Sequence, residues 1–235
     1  MTAIAANTDV NSPQAMGRLG LHDRVLSLVD KFDPNSSRFV DLAAGEGALT
    51  VRLLERGHDV VPVDAFDENW KLAGVPLSVQ NLDAEFAEPM LAQDNRKFDA
   101  IAAVEIIEHL ENPFRFAREC AKLLRSGGHL YLTTPNVESA FSRLIFLYTG
   151  RLNSFGAYET VRPAHITPIF GWKLEMLLDE AGFEVIHEEF DDETFGADAN
   201  LKVRSVHKIS KIVARFIKGN GGKGGSGRIL VARLK

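Results

Sequence analysis

The sequence predicts an α/β fold, a mostly parallel sheet with helices on both faces. Three observations predict it. Short apolar strands alternate with amphipathic helices from about residue 20 to 133. The first strand runs into a glycine turn, Asp41-Leu42-Ala43-Ala44-Gly45-Glu46-Gly47, with a helix directly after it. The second strand, Val60-Val61-Pro62-Val63, ends on the carboxylate of Asp64. This is the plan of a nucleotide-binding βαβ unit. Glycine lets the backbone approach a ligand, and an acidic residue roughly 20 positions on can take ribose hydroxyls.

Each element follows from its own pattern. Residues 1–14 are small and polar and are expected to be disordered, leaving 15–235 as one domain. Leu21, Val25, Leu26, Leu28 and Val29 are spaced for a helix over 19–32. Strands are predicted at 39–43, 59–63, 78–81, 98–104 and 129–133, with helices at 48–56, 84–92 and 113–124. Asn112-Pro113 is a strong helix start, an N-cap followed by proline in the first turn. After Thr133-Thr134-Pro135-Asn136 the alternation stops, and an insertion over about 137–170, rich in aromatics and glycine, intervenes. A helix over 171–181 then ends on Gly182, and strands over 184–190 and 227–234 complete the set. Ligands of such a sheet bind at the carboxyl ends of its strands.

Composition narrows the class. With 235 residues, 45% of them apolar, the chain can bury a full core. Net charge is −5, but residues 201–235 hold ten Lys/Arg and no Asp/Glu, leaving 17 basic against 32 acidic residues elsewhere. One cysteine, Cys120, excludes an internal disulfide and fits a reducing cytoplasm. Its neighbours Phe116, Ala117, Ala121 and Leu124 make it a packed thiol rather than a nucleophile. Neither a signal peptide nor a run of about 20 apolar residues is visible.

Asp41-x-x-x-Gly45-x-Gly47 with a later Asp64 resembles the class I S-adenosylmethionine-dependent methyltransferases. The likeness covers nearly the whole chain from about residue 20. The family's first glycine is replaced here by Ala43. A dinucleotide fingerprint would instead place glycine at position 50, where Thr50 stands, and gives Asp41 no role. The resemblance implies a Rossmann-like three-layer sandwich whose seven strands run 3-2-1-4-5-7-6, the last antiparallel. It implies a cofactor pocket too. Gly45 and Gly47 would pass beneath the methionine part, with Ala43 beside them, and Asp41 would orient the turn and take the ligand amine. Asp64 would accept both ribose hydroxyls. Leu82 and Asp83 would hold the adenine, and Glu105 and Ile106, at the end of the fourth strand, would line the pocket. An N-cap before Ala84-Glu85-Phe86 is the alternative role of Asp83.

The reaction end rests on two groups of residues. Val104-Glu105-Ile106-Ile107-Glu108-His109-Leu110 resembles a run in the ubiquinone-biosynthesis O-methyltransferases and related bacterial methyltransferases. Members of that group are thought to bind a divalent cation, and carried over, its ligands would be Glu105, Glu108 and His109. Alternatively Glu108 and His109 hold loop backbone. His165, in Arg162-Pro163-Ala164-His165, is the candidate acceptor of a hydroxyl proton, with His109 the second. Its alternatives are to cap the next helix or to anchor a lid. Tyr148, Phe155, Tyr158 and Trp172 either wall an acceptor or form the insertion's own small core.

The stretch 201–218 is a basic amphipathic helix on a helical wheel. Val203, Val206, Ile209, Ile212, Val213, Phe216 and Ile217 lie on one half, and Arg204, His207, Lys208, Lys211, Arg215 and Lys218 on the other. It covers the sheet edge or contacts a membrane surface peripherally. Nucleic acid is not expected, because the basic residues are not interleaved with stackable aromatics. The leading expectation is a cytoplasmic enzyme, with the inner face of the membrane as its alternative location, that methylates an oxygen of a small or lipid-linked acceptor: a quinone precursor, a glycan sugar or a secondary metabolite. A non-catalytic S-adenosylmethionine-binding regulator is the alternative, and an NAD-dependent oxidoreductase a weaker one.

Overall fold

Near-continuous apolar runs become central parallel strands because both of their faces are buried. The computed structural model describes residues 12–15, 17–155, 164–191, 201–218 and 224–235. Strands β1 (Arg38–Leu42), β2 (Asp59–Asp64), β3 (Ser78–Val79), β4 (Phe98–Ala103) and β5 (Leu124–Pro135) lie parallel. With β6 (Phe183–Phe190) and β7 (Gly227–Leu234) they form one sheet in the order β3-β2-β1-β4-β5-β7-β6. β7 runs antiparallel to both of its neighbours, the arrangement the resemblance implies.

Helices cover both faces. On one, α1 (Leu21–Phe32) and α2 (Ala48–Leu54) bring Leu21, Val25, Val29, Leu49 and Leu53 against Phe39, Ala100 and Val231. On the other, α3 (Ala87–Gln93) and α4 (Pro113–Leu123) pack Met90, Phe116 and Leu123 over Ile101 and Leu132. Asn112 accepts the Arg115 backbone N–H at 3.0 Å and Pro113 opens α4. Cys120 is buried on α4, and burial pushes its thiol up, which suits packing and not nucleophilic chemistry.

The chain departs from the sequence pattern in three places. β3 is only two residues long and α3 begins at Ala87, because Asn81 makes a turn between them. Its Oδ1 accepts from Asp83 N and its carbonyl from Ala84 N, both at 3.0 Å. Within the insertion, where the pattern marks no element, the chain forms α5 (Ala140–Thr149). Ser139 caps it, accepting from Ser142 N at 3.0 Å, and Gly150 closes it at φ 71°. Finally, α7 (Leu201–Val213) packs against α5 but buries only a narrow stripe of its wheel, so Ile209, Ile212 and Phe216 stay exposed. Between these two, α6 (Gly171–Glu180) lies on the face with α4 and ends before Gly182 at φ 89°. Residues 1–11 lie outside the described residues; Gln14 is placed, its backbone N–H donating to Glu46 Oε2 at 2.7 Å. Among the described residues no helix is long and apolar enough to cross a membrane.

Candidate active site

Two cavities open at the carboxyl ends of the central strands and meet at Ala43, Glu105 and His109, which line both. The smaller, about 330 Å³, is also lined by Asp64, Phe66, Leu82, Asp83 and Ile106. The larger, about 550 Å³, is lined by Arg18, His22, Asp41, Gly45, Ser154 and His165 among others. Every expected cofactor residue except Gly47 therefore faces one cavity or both.

The strand tips hold their carboxylates by backbone N–H groups. Asp64 Oδ2 accepts from Gly45 N at 2.9 Å and Oδ1 from Phe66 N at 3.1 Å, so the end of β2 is tied to the glycine turn after β1. Each oxygen keeps a further lone pair for a ligand hydroxyl. Asp83 Oδ1 accepts from Glu111 N at 2.8 Å and Asn112 N at 3.3 Å. Its helix-start role thus belongs to the turn before α4, since α3 begins only at Ala87. Asp41 is buried, with Thr50 Oγ1 donating to its Oδ2 at 2.6 Å. Burial pushes the Asp41 carboxyl up to about 7, the nearby Asp64 charge adds to this, and the Thr50 hydrogen bond opposes it. Thr50 is the contact that sequence reasoning missed. It was legible only as a residue in the wrong place for a dinucleotide fingerprint.

The glycines divide their work differently from the expectation. Gly45 sits at φ 56° with open space where a Cβ would go, beside the larger cavity. Gly47 faces away from it. A Cβ there would lie 2.8 Å from the Leu72 side chain at φ 96°, so packing and backbone conformation already require glycine. Ala43 keeps φ 63°, a left-handed conformation unfavourable for any residue with a Cβ.

Glu105 is also left-handed, at φ 52°. Its side chain is occupied. Thr133 Oγ1 accepts the Glu105 backbone N–H at 2.9 Å and donates to Glu105 Oε1 at 3.0 Å, while Arg18 Nη2 reaches the same oxygen at 3.2 Å. Arg18 further donates to the Ser226 carbonyl at 3.0 Å and pairs with Asp191 at 2.9 Å, closing the N-terminal segment over the cavity.

The three ligands expected for a cation are therefore not the three brought together. Ile107–His109 form a single 3-10 turn, and Glu105 lies before it on a reversed backbone. Among the described residues, the group able to surround an ion is Glu108, His109 and His165, with ligand atoms within 4.8 Å of one another. Glu108 is fully buried. Oε2 accepts from Thr134 Oγ1 at 3.0 Å, whereas Oε1 has no partner among the described residues. Burial, and then the Glu105 charge, hold the Glu108 carboxyl well above its usual range. Its backbone carbonyl accepts from Ile166 N and Thr167 N, drawing the His165 loop onto this turn.

Both imidazoles are oriented by carbonyls. His109 Nδ1 lies 3.1 Å from the Ala164 carbonyl oxygen, and His165 Nδ1 lies 2.8 Å from that of Ser154. A carbonyl only accepts, so both Nδ1 atoms carry hydrogen and, in the neutral rings, Nε2 is the basic atom. The rings meet edge-on with centroids 4.6 Å apart, and Phe155 packs 5.5 Å from His165. His165 does not cap α6; Glu138 Oε2 accepts Gly171 N at 2.8 Å instead. Of the other aromatics, Tyr148 and Trp172 are 91% and 61% exposed and line neither cavity, and Tyr158 lies outside the described residues.

Comparison with known proteins agrees with this geometry. Residues 16–188 match the family described as a methyltransferase domain. The chain is 34% identical over 176 residues to the ubiquinone biosynthesis O-methyltransferase of Parvibaculum lavamentivorans, an overlap of 74% of this chain and 62% of that protein. It is 36% identical over 101 residues to the protein of the same name from Caulobacter vibrioides, 41% of this chain and 40% of that one. The chain thus spans less than two thirds of the length of either curated relative. A SAM-dependent methyltransferase structure from Archaeoglobus fulgidus superposes with a TM-score of 0.60, covering 90% of this chain and 94% of that one at 16% identity, a likeness of fold. With the family match reaching from the segment before α1 into β6, this chain belongs to the methyltransferase-domain family.

Proposed function

We propose that this protein transfers a methyl group from S-adenosylmethionine to an oxygen of a small or lipid-linked acceptor. One observation carries the reading: the cavity with nucleoside-binding chemistry opens, past Ala43, Glu105 and His109, into the cavity that holds two imidazoles with basic Nε2 atoms. Asp64 would take the ribose hydroxyls, Leu82 and Asp83 would adjoin the base, and Asp41 would take the ammonium. His165 Nε2, aided by His109, would remove the acceptor's hydroxyl proton. The bound S-adenosylmethionine would supply the electrophilic methyl carbon, which the acceptor oxygen would take in line as the carbon–sulfur bond breaks to leave the thioether. Thr50 in place of a glycine, bonded to Asp41, disfavours the NAD reading. The names of the curated relatives favour oxygen as the acceptor atom and a quinone precursor as its class.

A second reading of the same centre is favoured by the orphaned, buried Glu108 Oε1. Glu108, His109 and His165 fit a divalent cation, with both Nδ1 atoms anchored to carbonyls as metal-bound imidazoles commonly are. Such an ion would supply Lewis acidity toward the acceptor hydroxyl. Incubation with methyl-labelled cofactor and a panel of catechols, phenols and sugars, read by mass spectrometry, tests the proposal. Transfer of label to a catechol or phenol oxygen is expected; cofactor binding without transfer to any acceptor would leave a regulatory cofactor-binding protein. Turnover that survives exhaustive chelation would assign the proton transfer to the histidines alone.

A further inference from the structure

The last turn of α5 and one stripe of α7 leave a surface that is both apolar and basic. Phe146, Leu147 and Tyr148 are exposed in succession, so they point to different sides of the helix and no single packing face could cover them. On α7 and the turn after it, Val206, Ser210, Val213 and Ile217 form the inward side, with Ser210 buried and the others half-buried. Ile209, Ile212 and Phe216 lie about a quarter turn round from it and are exposed. Arg204, Lys208, Lys211, Arg215 and Lys218, all exposed, occupy the next sector. α5 packs against α7, which puts the two apolar groups on neighbouring elements. Segments 140–151 and 201–218 together hold eight Lys/Arg and no Asp/Glu, in a chain of net charge −5.

We propose that this face docks on an anionic lipid bilayer. α7 would lie in the plane of the headgroups, with Ile209, Ile212 and Phe216 turned toward the acyl boundary and the Phe146–Tyr148 turn inserted beside it. An exposed apolar stripe next to a solid basic sector is what an interfacial helix needs, since apolar burial and attraction to anionic headgroups act on adjacent sides. The charge excludes the other obvious occupant. A two-fold interface would set this patch against itself, cation on cation with no carboxylate to neutralise it.

The docking deepens the functional proposal and rests on its reading of His165. α5 leads directly into Ser154 and Phe155, the two residues that orient and pack His165. Docking would therefore bring the reaction centre to the bilayer surface, where an amphiphilic acceptor dissolved in the membrane presents its polar head.

Sedimentation of the full chain with vesicles tests this. Binding is expected to phosphatidylglycerol-containing vesicles and not to pure phosphatidylcholine, falling at least about tenfold between roughly 0.1 and 0.5 M salt. Lys208→Glu, Lys211→Glu and Arg215→Glu combined should lower partitioning at least about tenfold with Tm unchanged. Phe146→Ser with Leu147→Ser should weaken it in a largely salt-independent way, which guards against a triple variant that fails to fold. Equal binding to neutral vesicles, no binding to either, or a dimer in light scattering that the triple variant abolishes would each overturn the proposal. Methylation of a short-chain, water-soluble acceptor should be the same in wild type and triple variant. Wild type that binds vesicles yet methylates nothing would uphold the docking and remove the reading of the site.

Discussion

The two cavities are built by opposite means. In the smaller one, the two aspartates are fixed by backbone N–H groups at neighbouring strand and helix ends: Asp64 by Gly45 and Phe66, Asp83 by Glu111 and Asn112. In the larger one, two of the three imidazoles hang on carbonyls of the insertion. His165 is held by Ser154 and His109 by Ala164, 55 residues away in sequence. The first arrangement comes with the sheet itself. The second exists only when the insertion has folded back over the turn after β4. On the proposed assignment, such a division would let the ribose and adenine end stay constant while the acceptor end changes with the inserted segment, as one fold hosts many acceptors.

Four experiments break or sharpen this contrast. The largest effect is expected at the acceptor end. His165→Ala should lower turnover about 100-fold or more while calorimetry finds cofactor affinity unchanged. His165→Gln should do the same without the packing loss against Phe155. A fall in Tm with turnover per folded molecule preserved would reduce His165 to an anchor of the insertion.

At the cofactor end, Asp64→Ala removes a charged acceptor and releases the Gly45 and Phe66 amides. Calorimetry should show S-adenosylmethionine binding weakened by about 2 kcal/mol or more. Unaltered affinity in a folded variant would move the ribose elsewhere and undo the assignment of the smaller cavity.

The third effect is one of pH. Asp41 has its carboxyl raised to about 7 from 3.8 in the free protein, so it is protonated in the lower part of that window. A raised carboxyl contributes stability that is present below the unfolded value and lost as pH climbs toward the folded one. Free-protein stability should therefore decline from about pH 4 to about pH 7 on this account and level off above. Cofactor affinity should run the other way, since the ammonium needs the carboxylate. It should rise by up to about tenfold per pH unit below 7 and then flatten. Asp41→Asn should erase both slopes, and a slope that persists in this variant would point to another group.

The smallest effect concerns the turn. Ala43→Gly should relieve a left-handed alanine and stabilise the fold by up to about 1 kcal/mol, read by denaturant unfolding. Part of that gain is offset by the freer unfolded chain. A destabilised variant would mean that the Ala43 methyl, which lines both cavities, makes packing contacts worth more than the strain.

The sequence by itself determined the sheet and its ligand-binding edge. Alternating apolar runs, Asn112-Pro113, Gly182 and the spacing from Asp41 through Gly45 to Asp64 are local signals. Hydrophobic periodicity and turn chemistry act over a few residues, so they can be read without knowing what lies across the fold. Only the tertiary structure decided which residues meet between elements. Glu105 left the expected ligand group because a left-handed backbone and its bonds to Thr133 and Arg18 turn it elsewhere. His165 joined Glu108 and His109 because the Glu108 carbonyl pairs with the amides of Ile166 and Thr167, 58 and 59 residues on. α7 buried a narrower stripe than its wheel allowed, because its main packing among the described residues is against one helix, α5. Contacts of that span depend on chain closure and on competition for the same hydrogen bonds, and no local pattern encodes the winner.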